Sequence, residues 1–244
     1  MVIVQNRRKN FRPSGSAGPS DPYWSSVVLL LHCDGTNGST TFTDSSSSNK
    51  TATANGNAQI TTTNPKFGSG AYLGDGNSDS VTFADTDDWH FGSGDWTVEF
   101  WLNLSNNAGA SKQIIAQRNS NVFCPFLLQT NSGILQAWLS LNNTTWTGGA
   151  SPTINSATTI ANNTWYHIAL CRDGANVRLF IDGTQVGATY NISTNSFTNS
   201  ANVMNIGGYT TNCVTGRIDE LRITKGVARY TANFTAPTEA FPNQ

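Results

Sequence analysis

Residues 163–187 read NTWYHIALCRDGANVRLFIDGTQVG. Two apolar runs, 165–172 and 176–181, flank the turn Asp173-Gly174-Ala175-Asn176, and Asp182-Gly183 ends the second run. Asp-Gly between apolar runs signals a hairpin, because Gly takes the positive φ that tight hairpin turns demand. The stretch predicts two antiparallel strands followed by another turn.

The same grammar extends outward. WTVEFWLNL at 96–104 alternates, with Trp96, Val98, Phe100, Leu102 and Leu104 on one face and Thr97, Glu99, Trp101 and Asn103 on the other. That is a half-buried strand of period two, and Trp101 implies some cover on the second face. Strands are also predicted at 27–33, 71–73, 80–83, 113–117, 123–129, 134–141, 202–206 and 214–223. Residues 40–57 read as a polar loop, and 226–230 as one short helical turn. Strands at this spacing, with no long helical pattern, predict a β-sandwich.

Composition agrees. Asn, Thr and Ser number 28, 31 and 24 of 244 residues, whereas only 12% are charged. Those residues favour turns and strands over helix surfaces. The length suits one large sandwich. No apolar run approaches the roughly 20 residues of a membrane span. No apolar segment directly follows the basic N-terminal residues, so no secretory signal peptide is expected.

Charge is polarised. Residues 1–20 carry Arg7, Arg8, Lys9 and Arg12 and no acid, so the net −1 less those four leaves −5 on the remainder. Residues 1–22 are therefore read as an extended arm and 23–244 as the sandwich. The arm is either a solvated tail or a partner-docking segment. Its apolar start, MVIV, would suit strand addition to another subunit's sheet edge. The four cysteines allow three pairings, and no CxxC spacing points to zinc. Cys33 and Cys171 lie in apolar runs and read as buried thiols. For Cys124 and Cys213 pairing stays open.

Four stretches together resemble one family: LLLHCDGTNGSTTFTDSS at 29–46, FGSGDWTVEFWLNL at 91–104, the hairpin at 163–187, and GRIDELRITKGVARYTANFTAP at 216–237. The chain is similar to laminin-G-like domains of the concanavalin A-like lectin/glucanase superfamily, as found in phage structural proteins. The resemblance implies an all-β, two-sheet antiparallel jelly-roll sandwich, with the first and last strands neighbours in one sheet.

That superfamily holds binders and hydrolases, so fold does not fix function. Its hydrolases carry E-x-D-x-E on one strand, and retaining glycosidases need two carboxylates about 5 to 5.5 Å apart. This chain has three Glu (Glu99, Glu220 and Glu239), none followed two residues later by an acid. Asp219 and Glu220 are adjacent and are expected on opposite strand faces. No nucleophile elbow, phosphate loop or zinc helix motif occurs. His32 and His167 read as sheet histidines, and no basic-aromatic stripe suggests nucleic-acid binding by the sandwich.

Two ligand classes remain. Calcium takes about six to eight loop oxygens. Asp75, Asn77 and Asp79 alternate in a Gly-containing loop, and the resemblance adds Asp34 and Asp219. Glycan binding, the usual role of such domains, needs exposed aromatics beside planar polar groups. Trp146, in the wholly polar stretch NNTTWTGG with Asn143, is the leading candidate, joined by Trp89, Tyr190 and Tyr209. The opening DPYWSSVVLLLHCDGTNGSTTFTDSSSS is similar to phage structural segments. It implies a non-enzymatic virion protein (head decoration, fibre or tail-attached subunit), assembled in the host cytoplasm. Such a protein would dock other virion proteins or further copies of itself through the arm and face host surface polysaccharide. The alternative is a free carbohydrate-binding module of a secreted, extracellular bacterial protein.

Overall fold

A computed structural model of the chain describes residues 20–109, 111–118, 120 and 122–244. The arm positions Arg7, Arg8, Lys9 and Arg12, and residues 1–4, lie outside the described residues. The strands in chain order are β1 (Val27–Leu31), β2 (Ala52–Asn55), β3 (Gln59–Thr61), β4 (Ala71–Asp75), β5 (Ser80–Phe83), β6 (Trp96–Leu104), β7 (Lys112–Ala116), β8 (Phe126–Asn131) and β9 (Ile134–Leu139). They continue with β10 (Ile154–Thr159), β11 (Tyr166–Asp173), β12 (Asn176–Ile181), β13 (Thr184–Asn191), β14 (Met204–Ile206), β15 (Gly208–Tyr209), β16 (Asn212–Cys213) and β17 (Thr215–Lys225).

An eight-stranded sheet runs β13-β12-β11-β6-β17-β4-β3, with β1 also paired to β17. A seven-stranded sheet runs β10-β9-β8-β7-β14-β5-β2. The first and last strands therefore neighbour each other, as the resemblance implies, with Leu31 opposite Leu221. The core forms because inward residues alternate with outward ones. Leu29, Phe100, Leu170 and Ile223 of the first sheet meet Phe83, Phe126, Leu128 and Met204 of the second in one buried cluster.

The stretch 40–57 is more than a loop. It contributes β2 and seals the free edge of β1. Leu30 N–H donates to Asp44 Oδ1 at 3.1 Å, Ser45 N–H donates to Leu30 O at 2.8 Å, and Lys50 Nζ donates to Val28 O at 2.6 Å. An exposed edge invites foreign strands, and these bonds occupy it. Residues 226–230 form no helix. The 3₁₀ turns lie instead at Trp24–Ser26 and Asp87–Trp89.

After β17 the chain returns as a strap over the outer face of the eight-stranded sheet. Tyr230 and Phe234 stack at 3.5 Å with a 6° interplanar angle, and both pack on Ala169, Cys171 and Phe180. Phe241 packs with Val27 and Leu30. Beneath the strap a charged network is buried. Glu99 Oε1 accepts from Arg222 Nε at 2.9 Å, and Glu99 Oε2 accepts from Tyr230 O–H at 2.8 Å and faces His167 Nε2 at 3.2 Å. Asp21, which the sequence boundary placed in the arm, belongs to this network through Arg222 and Arg229. All four cysteines are free and buried.

The expectation that Asp219 and Glu220 point to opposite faces fails. β17 shifts register against β6 between Asp219 and Arg222, with Glu220 at φ +48. This bulge adds a residue and re-aims the next side chain. Asp219 Oδ2 accepts from the Lys66 and Phe67 N–H groups, and Glu220 binds His32 and the Phe241 N–H. Both acids are buried. Burial, with Glu220 adding repulsion, pushes the Asp219 carboxyl up to about 8 although backbone N–H groups hold it.

Candidate functional site

The strap covers one sheet, and the outer face of the seven-stranded sheet is built differently. Register sets Thr82, Asn205, Ala116, Leu127 and Trp138 in one row across β5, β14, β7, β8 and β9. A parallel row holds Gln113, Gln129 and Gln136. Paired residues share a face, so both rows point away from the core. Neither row contains a carboxylate. Gln129 Nε2 donates to Gln136 Oε1 at 3.0 Å, and Trp138 Nε1 reaches the same oxygen at 3.4 Å.

Trp146 comes onto this face from the loop between β9 and β10. Its ring lies 5.7 Å from Trp138 and 5.1 Å from Phe123, tilted or edge-on to each. Trp138 and Trp146 are half-buried and pack on Ala116, Cys124 and Leu127. The loop is braced from within. Asn142 Oδ1 accepts from the Thr144 and Thr145 N–H groups, and Asn143 Nδ2 donates to Asn199 O at 2.9 Å. Asn143 therefore positions Trp146, and its own Oδ1 is buried with no partner.

Tyr209 lies on the same side, at the other end of the rows. With Asn55, Ser80, Thr82 and Asn205 it lines a pocket of about 300 Å³. Asn205 is 3% exposed, and its Oδ1 has no hydrogen-bond partner. From Asn205 to Trp138 is three strand spacings, about 15 Å. Hydroxyls, amides and aromatic rings, with no carboxylate in the rows, can hydrogen-bond and stack a saccharide.

Two of the aromatics predicted for this role are elsewhere. Trp89 is fully buried: the 3₁₀ turn folds its ring against Phe83, and Nε1 donates to Ala84 O at 2.9 Å. It cannot present a face to a sugar. Tyr190 is in β13 of the other sheet and packs against the main core. Trp138, Gln113, Gln129, Gln136 and Asn205 were not anticipated. Their available signal was a lone glutamine in each of three successive apolar strands, KQIIA, FLLQT and ILQAW.

Of the five residues proposed for calcium, the Asp75 and Asp79 carboxyls lie side by side, and the others bond different partners. Asp79 accepts the Asn57 and Asp75 N–H groups at 2.6 Å each, and Asp75 accepts from Asn57 Nδ2 and the Asn77 N–H. Asp34 bonds Ser69, and Asp219 bonds the backbone at Lys66 and Phe67. Calcium requires about six to eight oxygens aimed at one point. Among the described residues no group of three or more His, Cys, Asp or Glu is placed to hold a metal ion. In this arrangement the loop carboxylates fix turns.

A second pocket of about 300 Å³ lies at the start of the described chain, lined by Asp21, Arg222, Arg229 and residues 237–242. Its guanidinium groups are already paired with Asp21 and Glu99. Glu99 has no oxygen facing an open cleft. Among the described residues no helix is long and apolar enough to cross a membrane.

Two curved antiparallel sheets in this order, with an aromatic and amide face left open, define a lectin-like jelly-roll domain. Residues 75–229 match a laminin-G family model, and the chain belongs to the concanavalin A-like lectin/glucanases superfamily. Among curated proteins, none matches the chain in sequence. Similar solved structures include the binding domain of Paraclostridial Mosquitocidal Protein 1, at 15% identity and TM-score 0.64, covering 84% of this chain and 50% of that one. The receptor binding domain of botulinum neurotoxin D matches at 15% identity and TM-score 0.61, covering 84% and 51%. A botulinum neurotoxin serotype D ligand binding domain in complex with N-acetylneuraminic acid matches at 15% identity and TM-score 0.60, covering 84% and 49%. The chain spans about half the length of these structures, and the likeness is one of fold.

Proposed function

We propose that this chain is a non-enzymatic, glycan-binding structural subunit of a bacteriophage virion. It presents the outer face of the seven-stranded sheet to host surface polysaccharide. The observation that carries the binding role is the Trp138–Trp146 pair set on a row of neutral glutamines, with the Tyr209 pocket about 15 Å away across the strands. That span matches several saccharide units rather than one, so the ligand is an extended chain. The neighbours' printed roles, receptor binding and a bound N-acetylneuraminic acid, favour a recognition function for the fold.

The virion role rests on the phage-like opening segment and on the basic residues Arg7, Arg8, Lys9 and Arg12. Asp21, near the start of the described residues, is held by Arg222 and Arg229, which supports a fixed attachment point for an anchor. The test is deletion of residues 1–19, which spares Asp21. Retained folding with loss of particle incorporation supports the anchor. Unchanged incorporation removes it and favours a free carbohydrate-binding module.

A further inference from the structure

Arg118 follows β7 on the outer face of the seven-stranded sheet and is 8% exposed. Its Nε donates to Gln113 Oε1 at 2.8 Å, and Nη1 reaches Val122 O at 3.4 Å. None of the ion pairs among the described residues includes it. Residues 1–19, 110, 119 and 121 contain no Asp or Glu, so no acid of the chain outside the described residues can pair with it. A buried charge is normally paired, because desolvation without a partner is costly.

A second observation lies beside it. Gln113 is 1% exposed, and its Nε2 has no hydrogen-bond partner. The amide orientation is fixed, since Oε1 must face the Arg118 donor. A cation outside any ion pair among the described residues and an unpartnered amide donor thus lie together, both on the ligand-facing side. The 122–124 segment links them to the aromatic pair: Val122 O touches Arg118, and Phe123 packs on Trp146. Arg172 shows the contrast. It is 1% exposed and likewise outside any ion pair among the described residues, but its donors end on the carbonyls of Gly174, Gly92 and Asn195. Arg172 ends on three carbonyls, whereas Arg118 bonds one amide oxygen and one carbonyl and is in no ion pair among the described residues.

We infer that Arg118 and the Gln113 amide bind the oxyanion of an acidic saccharide whose ring lies against Trp146. The inference rests on the glycan reading above and names its ligand class: a uronate carboxylate or a sugar sulfate ester. Charge-assisted bonds from a guanidinium and an amide suit either group.

The experiment titrates the full chain, 15N-labelled, with glucuronate, galactose 6-sulfate and glucose. Acidic sugars are expected to move the Arg118 Nε–H and Gln113 side-chain amide resonances, and glucose is not. The two acidic arms tell carboxylate from sulfate. Arg118→Met is expected to raise Tm, by removing an unpaired buried charge, and to weaken acidic-sugar binding about tenfold or more. Gln113→Glu supplies the missing anion internally, so it is expected to raise Tm and to block the acidic sugars. If Arg118→Met lowers Tm and acidic sugars leave both resonances unmoved, the arginine is structural and the inference falls. Neutral oligosaccharides that still shift Trp146 in that case leave the glycan reading standing.

Discussion

Arg229 holds Asp21 with both terminal nitrogens, Nη1 to Oδ1 at 3.0 Å and Nη2 to Oδ2 at 2.6 Å. The pair joins the first described residues to the segment that follows β17. Arg222 extends it, bonding Asp21 on one side and Glu99 on the other. A run of alternating charges therefore passes from the entry of the domain into its buried interior. Such a network stabilises only while every member is paired.

The network predicts an acid limit. Burial opposes charge on Glu99, but Arg222, His167 and Arg229 outweigh it and hold the carboxyl at about 2. The folded value lies below the usual carboxylate value. Its contribution is therefore present above about pH 4.5 and lost as pH falls toward 2. In denaturant unfolding between pH 3 and 7, the stability difference between wild type and Glu99→Gln should be constant above about pH 4.5 and shrink below it. Glu99→Gln should flatten that loss and cost about 1–3 kcal/mol at pH 7, less than a fully orphaned charge, because Arg222 keeps Asp21 as its partner. An unchanged acid limb in the variant would assign the transition to other groups.

The strap carries an opposite dependence. His32 Nδ1 lies 2.7 Å from Glu220 Oε1, and Nε2 lies 2.6 Å from Asn243 Oδ1. Burial disfavours the imidazolium, yet Glu220, Asn243 and the more distant Asp34 leave its pKa raised. A raised folded value gives stability that is complete below pH 6.5 and lost as pH rises through that value. Wild type should lose melting temperature as pH rises above 6.5, and His32→Gln should lose less, because the Asp219 carboxyl, pushed up to about 8, adds the same loss to both proteins. Parallel profiles for the two proteins would exclude a contribution from the His32–Glu220 pair.

Two tryptophans separate core from site. Trp89→Ala should destabilise by about 3–5 kcal/mol, since it empties a fully buried position. Trp146 is half-buried, so Trp146→Ala, which removes the aromatic contacts at 5.1 and 5.7 Å and the packing on Ala116, Cys124 and Leu127, should cost about 1–2 kcal/mol. Equal costs, measured by urea unfolding, would mean that Trp146 is a core residue.

These residues also mark what the sequence discloses. The hairpin at 163–187 and the alternation at 96–104 are visible because apolar residues recur at a strand's own period. β2, β3, β10 and β13 escape notice: ATAN, QIT, INSATT and TQVGATYN are edge or near-edge strands with the composition of the loops. Trp89 looks like a loop aromatic between Asp88 and His90, and only the 3₁₀ turn carries it inward. The Asp21 and Glu99 pairs span 208 and 123 residues, beyond any local pattern. The open aromatic and amide face depends on register across five strands, so Trp146 alone of its aromatic pair could be named beforehand.

The central claim is that the face bearing Trp138 and Trp146 recognises glycan. The most direct measurement is binding of the full chain and of Trp138→Ala/Trp146→Ala to immobilised host-type polysaccharides, with folding of both checked by thermal melting. The account predicts that wild type retains at least one polysaccharide and that the double variant stays folded and loses it. Wild-type silence across the panel, or full binding by the folded variant, would contradict it.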